Sequence, residues 1–383
     1  MQIYDVVIVG GGPAGATAAL VLAKEGRHVL LLDAQNSGAF KIGESLPAAS
    51  KNLLQELGVW NDFILDDHLP YYGNISAWGG SQPQITDFIY DPHGHGWHLD
   101  RIRFEKLLHK KAGQAGAEIN TNTVLKRCAG SAIKGEMEWS LSVSLQNRKL
   151  TQIKSRFVID ASGRRSVVAR NQGIRRIAGD KLVACYVLFK QAIGANQIDK
   201  DSRTIVEAVP DGWWYSALLP DGNRIVVFHT DSDLIKPNFS TTTLSRFTLL
   251  LQKTEHINRI IEEKGYQPFT QPKITIAHSA RLEKFHGEEG WLAAGDSALS
   301  FDPLSSQGIM TAIYTGLRAG FAAEAYLSGD LTELKEYNRN LTKIYDAYKY
   351  NLQNWYAMEK RWLDSSFWFR RCRLKTNKDQ QYS

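Results

Sequence analysis

Three glycines, Gly10, Gly12 and Gly15, stand in the run GGGPAG with the spacing G-x-G-x-x-G, near the start of a chain of 383 residues. The chemistry open to that spacing is phosphate binding. The first glycine permits a tight turn, the second lets a pyrophosphate approach the backbone, and the third allows a helix to pack closely on a strand. Pro13 and Ala14 complete the turn into that helix, whose N-terminal N–H groups are oriented toward the phosphates. Asp33 lies 18 residues beyond Gly15, where a carboxylate accepts hydrogen bonds from an adenosine ribose diol and argues against a 2′-phosphate. Glycine-rich turns and strand-end aspartates also arise by chance, so the flanking elements decide.

Those elements are present. Residues 3–9 (IYDVVIV) read as a strand, residues 14–24 as an alanine-rich helix, and 28–33 as a second strand, a complete β-turn-α-β unit. Further on, residues 45–57 and about 103–116 read as helices, and 71–97 as a stretch rich in loops, aromatics and glycines. Strand candidates at 213–219 and 224–229 flank the turn PDGN, residues 244–264 look helical, WLAAGD at 291–296 returns to strand chemistry, and a helix starts near Gln307. From residue 331 the chain is polar, aromatic and helix-favouring.

Composition narrows the class. An apolar content of 43% supports sizeable packed cores, and no apolar run reaches the ~20 residues that cross a bilayer, so the expectation is a cytoplasmic protein with no membrane role. Three scattered cysteines, Cys128, Cys185 and Cys372, fit neither a disulfide framework nor a zinc site. The net charge of +6 is too diffuse for nucleic-acid binding. His93, His95 and His98 in PHGHGWH invite a metal reading, but their glycines suggest a closing loop instead, and no metal is expected.

The glycine motif alone leaves FAD and NAD open. Three more segments, KIGESLP at 41–47, VIDASGRRSVVAR at 158–170 and WLAAGDSALSFDPLSSQGIMTAI at 291–313, resemble the hydroxylase-type flavoproteins, a group that includes flavin-dependent monooxygenases and halogenases. The resemblance spans nearly the whole chain and implies FAD. It implies that Asp296 hydrogen-bonds the ribityl chain, that the N–H groups of Gln307, Gly308 and Ile309 face the pyrimidine end of the isoalloxazine, and that Arg101 approaches the pyrophosphate. For Arg101 an ordinary surface ion pair is the alternative. Glu44, in a loop placed near the flavin in that family, is the candidate acid or base, with Ser45 helping to hold the cofactor; a carboxylate serving the dipole of a helix starting at Ser45 is the alternative role for Glu44. No second G-x-G-x-x-G is present, so electrons come from an external donor.

The implied fold class is α/β: a Rossmann-type FAD-binding domain of the hydroxylase/halogenase type, discontinuous over 1–75, 100–180 and 273–325. A β-rich substrate domain is inserted at 76–99 and 181–272, and a C-terminal helical region follows at 326–383. Tryptophan halogenases carry a reactive lysine, a W-x-W-x-x-I-P segment and a glutamate in PLEST. This chain has Ser305 in PLSSQ, no lysine in GNISAWGG, and GWWYSALLP instead of the halogenase signature.

The segments GESLPAAS, YGNISAWG, GHGWHLDR, DGWWYSALLP and YAMEKRW are more similar to the modifying flavoproteins that accompany quinoprotein amino-acid oxidases and amine dehydrogenases. That resemblance implies an FAD-dependent monooxygenase placing oxygen from O2 on a tryptophan of a precursor protein, in cysteine tryptophylquinone biogenesis. A small-molecule hydroxylase, halogenase or reductase, or a non-catalytic maturation partner, are the alternatives. Trp78, Trp97, Trp213, Trp214 and Tyr215 are the candidate pocket walls, although such residues also pack in cores. The basic, aromatic tail 360–375 suits either a partner surface or a solvated helix with buried aromatics.

Overall fold

A computed structural model describes residues 3–35, 40–133, 136–145, 150–192, 198–235 and 243–372. The chain forms two compact units, 1–68, 99–179 and 279–346 in the first, and 69–98, 180–278 and 347–383 in the second.

In the first unit the apolar run Ile3–Val9 becomes a strand whose last four residues are buried, as expected of a strand covered on both faces. It pairs in parallel with Val29–Leu32 on one side and Leu150–Asp160 on the other, and Leu150–Asp160 pairs in parallel with Trp291–Ala293. This register brings Val9, Leu32, Asp160 and Ala293 to one end of the sheet, so segments far apart in sequence turn off the same edge. Helix Pro13–Lys24 starts with proline in its first turn and is buried from Pro13 to Ala23. Helix Gly308–Leu327 crosses it through small residues. A Cβ on Gly316 would stand 2.3 Å from the Ala14 carbonyl oxygen, and one on Gly320 would stand 2.8 Å from Val21, so the two helices approach as closely as backbones allow.

The second unit is built on a sheet in the order Tyr266–Pro268, Leu182–Gln191, Arg224–Asp231, Gly212–Leu218, Thr204–Val209, Gly73–Ala77, Gln84–Asp87. Its two faces follow from the period-2 alternation of strands. Trp214 and Phe228 pair across the sheet and join Phe247, Leu251, Ile257 and Ile261 in one core. Trp213 and His229, one residue along, pair on the opposite face and stack at 3.7 Å. Within this unit Arg224 and Asp199 form an ion pair at 2.7 Å, both side chains only 1% exposed, and the Tyr266 hydroxyl donates to the same carboxylate oxygen at 3.0 Å. Deleting one partner of such a pair typically costs about 3–5 kcal/mol, because the other charge stays buried.

Several sequence expectations change. The helix expected over 45–57 is a two-residue strand, Ser45–Leu46, followed by helix Ser50–Glu56, because Pro47 disfavours helical backbone at the residue before it. The helix expected over 244–264 is two helices, Leu244–Leu251 and His256–Glu263. The second begins where the buried Glu207 carboxylate accepts the N–H groups of Glu255, His256 and Ile257, a cap supplied from a distant strand. The stretch 71–97 contains the strands Gly73–Ala77 and Gln84–Asp87. Residues 326–383, expected as a separate helical region, divide between the units at residue 346, because the aromatics of their last part pack within the second.

Candidate active site

The first unit gathers the phosphate-type glycines and the 295–309 segment at one end of its sheet. Gly10 has φ +116°, and a Cβ there would lie 2.1 Å from the Ala161 carbonyl oxygen; a Cβ on Gly15 would lie 1.9 Å from the Gly10 oxygen. Both glycines are therefore demanded by the fold itself. Gly11, outside the motif, is equally constrained, since its Cβ would sit 2.6 Å from Asp33 Oδ2. Gly12 differs: a Cβ there would meet no atom within 4 Å. The turn is packed behind and open in front, which fits a pyrophosphate lying over Gly12 and the helix N-terminus behind it. Asp33 ends its strand beside this turn, with its Oδ1 accepting from Gln35 N at 3.1 Å.

The second segment turns at Gly295, φ +61°, whose N–H donates to Thr315 Oγ1 at 2.8 Å. A Cβ on Gly295 would come within 2.8 Å of Ala14 Cβ. Ala14 thus touches both the glycine turn and the 295 turn, and the two distant stretches share one locus. Asp296 is 39% exposed and pairs with Arg164 at 3.2 Å, so its carboxylate already has a cationic neighbour. Asp302 accepts Leu304 N at 2.9 Å, Ser306 takes φ +50°, and Gln307 immediately precedes the helix that starts at Gly308 without a side-chain cap. The amides of that first turn have no partner within the helix and point their dipole outward. Gly308 has open space where a Cβ would stand.

Arg101 opens helix Arg101–Gln114, and it is anchored rather than loose. Its Nη1 donates to Gly43 O at 2.7 Å and Ile42 O at 3.2 Å, and its Nη2 pairs with Glu105 at 2.7 Å, while Lys41 takes the other Glu105 oxygen. Its Nε is buried with no partner. A guanidinium held on one side, with a spare N–H on the other, suits an anionic ligand. Glu44 is 3% exposed, and its Oε2 accepts from Gly43 N at 3.2 Å. The alternative role for Glu44, serving a helix dipole, is not what the fold provides, because the helix starts at Ser50. Ser45 lies in the short strand next to Glu44.

Two residues that sequence reasoning missed also contact these turns. Arg176 is half-buried, and desolvation pulls its pKa below the usual arginine value. It donates to Ser297 O at 3.0 Å and Ser300 Oγ at 2.6 Å, bracing the loop that carries Asp296. His109 Nε2 lies 2.6 Å from Gly11 O. Neither stands in a motif, and only the fold brings them to the site.

The candidate pocket walls all lie in the second unit and separate into roles. Trp214 belongs to the core, Trp213 donates to Tyr356 Oη at 3.1 Å, and Trp78 donates to Trp355 O at 2.8 Å and packs on Trp213 and Trp368. These three pack within the unit, Trp97 is 5% exposed with its ring edge-on to His95, and Tyr215 alone of the five is half-buried. His98 is buried, with Nδ1 on Leu218 O at 2.8 Å and Nε2 on Thr204 Oγ1 at 3.1 Å, while His95 meets Gly96 O at 3.0 Å. No cluster of three metal-ligating side chains occurs among the described residues. In the tail, Arg370 and Arg371 pair with Asp231, and Phe367 and Trp368 are fully buried; the part beyond 372 lies outside the described residues. No helix among the described residues is long and apolar enough to cross a membrane.

A parallel α/β sheet carrying a glycine turn, an anchored arginine and a second glycine turn at one edge defines an FAD-dependent oxidoreductase of the hydroxylase/halogenase type. A family model described as an FAD binding domain matches residues 3–344, and the chain belongs to that family. LodB of Marinomonas mediterranea, named as an FAD-dependent oxidoreductase, is 29% identical over 376 residues, covering 97% of either chain. Among solved structures, the myxobacterial chondrochloren halogenase CndH superposes with a TM-score of 0.86 at 22% identity, covering 100% of this chain and 88% of that one. The peptidyl tryptophan dihydroxylase QhpG does so with a TM-score of 0.75 at 17% identity, covering 98% and 80%. Both share this fold.

Proposed function

We propose that this protein is a monooxygenase that hydroxylates a tryptophan of a precursor quinoprotein, an amino-acid oxidase or amine dehydrogenase, during cysteine tryptophylquinone biogenesis. The observation that carries the reading is the end-to-end match with LodB, 97% of either chain, joined to the departures from halogenases. At the place of the halogenase glutamate stands Ser305, whose hydroxyl donates to Asp302 O at 2.9 Å and is spent within its own turn. QhpG, which shares the fold, is a peptidyl tryptophan dihydroxylase essential for tryptophylquinone cofactor biogenesis, and it supports a protein-bound tryptophan as substrate.

Bound FAD supplies two-electron redox chemistry with O2. The chain's own residues do the rest. The Gly12 turn and its helix receive the diphosphate, Asp33 the adenosine ribose, Arg101 Nε an anionic oxygen, Asp296 the ribityl hydroxyls, and the first-turn amides of Gly308 and Ile309 the pyrimidine edge. Glu44, buried beside Gly43, holds or moves the proton. The half-buried Tyr215 is the pocket-wall residue of the second unit with surface left for a substrate. The turnover inserts one oxygen atom of O2 into an indole C–H bond and reduces the other to water, using two electrons from an external donor and two protons. The domain limits follow the same reading: a discontinuous FAD-binding domain with a substrate domain inserted into it.

The test is mass spectrometry of an unmodified precursor oxidase incubated with the reduced protein under isotopically labelled O2 in bromide buffer. A labelled oxygen on a precursor tryptophan is expected. An unchanged precursor, or a brominated one, overturns the reading, and bromination would favour the halogenase alternative.

A further inference from the structure

We propose that His109 is a positioning residue for the FAD diphosphate, acting by fixing the direction of the Gly11–Gly12 peptide. Nε2 of His109 lies 2.6 Å from Gly11 O. A carbonyl oxygen only accepts, so Nε2 carries the proton and donates. In a trans peptide the C=O and the next N–H point in opposite directions, and holding Gly11 C=O toward His109 therefore turns the Gly12 N–H the other way. The Gly12 N–H meets no protein acceptor among the described residues, and the Cβ position of the same residue is open.

The clamp answers a specific weakness. A peptide flip changes ψ of Gly11 and φ of Gly12, and glycine tolerates either value, so nothing in the backbone alone prevents it. The flipped peptide would aim a carbonyl oxygen, instead of an N–H, at an anionic diphosphate. Arg101, Glu105 and His109 recur every four residues on one face of helix Arg101–Gln114, so the face that ties down the 41–44 loop through Arg101 also sets the glycine turn. The assignment rests on the proposed reading that FAD occupies this turn, and not on the identity of the substrate.

The experiment titrates apo-protein with FAD, following flavin fluorescence, for the wild type, His109→Leu and His109→Gln, and records the melting temperature of each apo-protein. His109→Leu is expected to weaken FAD binding roughly 10- to 100-fold, the range for one hydrogen bond to a charged group. His109→Gln, which keeps an N–H donor, is expected to recover to within about threefold, and both apo-proteins to melt within about 3 °C of the wild type. The inference is overturned if His109→Leu binds FAD as the wild type does, if His109→Gln is as weak as His109→Leu, or if weaker binding comes with an equally destabilised apo-protein. Failure of the wild type itself to bind FAD would instead refute the cofactor assignment.

Discussion

Gly12→Leu is expected to give a stably folded protein with greatly weakened FAD binding, whereas Gly15→Val is expected to give a strongly destabilised one. The two glycines belong to one motif, yet different forces keep them. A Cβ at Gly15 would stand 1.9 Å from the Gly10 carbonyl oxygen, a collision with backbone that the helix–strand contact cannot relieve by rotating a side chain. Overpacking of this severity costs several kcal/mol and would lower the melting temperature by about 10 °C or more. At Gly12 φ is −68°, ordinary for any residue, and a Cβ meets nothing within 4 Å, so leucine enters without strain. It fills the space proposed for the diphosphate. FAD affinity should fall roughly 100-fold or more, equivalent to about 2.7 kcal/mol, while the apo-protein melts close to the wild type. Titration with FAD and thermal melts of the two apo-proteins check this. A Gly12→Leu protein that binds FAD normally would mean that the open face of the turn is not the phosphate site.

Acidification from pH 7 to 4.5 is expected to remove about 5 kcal/mol of unfolding free energy, through two buried histidines of the second unit. His98 and His229 are each pushed down to about 3, chiefly by burial; Arg224 adds to the lowering at His98, and hydrogen bonds to the carbonyls of Leu218 and Trp213 oppose it at His98 and His229 respectively. The sign follows from linkage. Both groups are neutral when folded and take up a proton near pH 6.5 when unfolded, so the unfolded state binds more protons between 6.5 and 3, and stability falls as pH falls through that window. Each contributes about 1.4 kcal/mol per pH unit. Carboxylates lowered by partners, such as Glu283 and Glu324, act below their ordinary range near 4.5, which leaves the upper part of the window to histidine. His68, lowered to about 4 in the first unit, adds a third proton there and about 2 kcal/mol beyond the loss from the two in the second unit. Urea unfolding at pH 7, 5.5 and 4.5 checks the slope. His229→Phe keeps a ring against Trp213 and should reduce the proton uptake by about one; an unchanged slope would contradict the assignment.

Much of the first unit could be read directly from residues. The Ile3–Val9 strand, the glycine turn and the Pro13–Lys24 helix are local in sequence, and their chemistry is carried by backbone geometry that few residues satisfy. Position 11 could have been read as well: the middle glycine of the run is forced by Asp33 Oδ2 at 2.6 Å, and the GGG run was its signal. His109 and Arg176 left no signal, because a histidine in mid-helix and an arginine after a loop look like any others until the fold brings them to Gly11 and Ser297. The second unit was harder to read. Trp213 and Trp214 look alike as candidate walls, but strand alternation sends them to opposite faces, one onto His229 and Tyr356, the other into the core beside Phe247. The break between Leu244–Leu251 and His256–Glu263 is set by Glu207, nearly fifty residues away, which no local pattern anticipates.

The central claim is that the turn at residues 10–15 and the turn at 295–309, which meet around Ala14, hold the two ends of one FAD. Hydrogen–deuterium exchange of the apo-protein with and without saturating FAD tests it directly. Slowed exchange in both segments, with the second-unit core around Trp214 unchanged, is the expected result; slowing in one segment alone, or in neither, would contradict it.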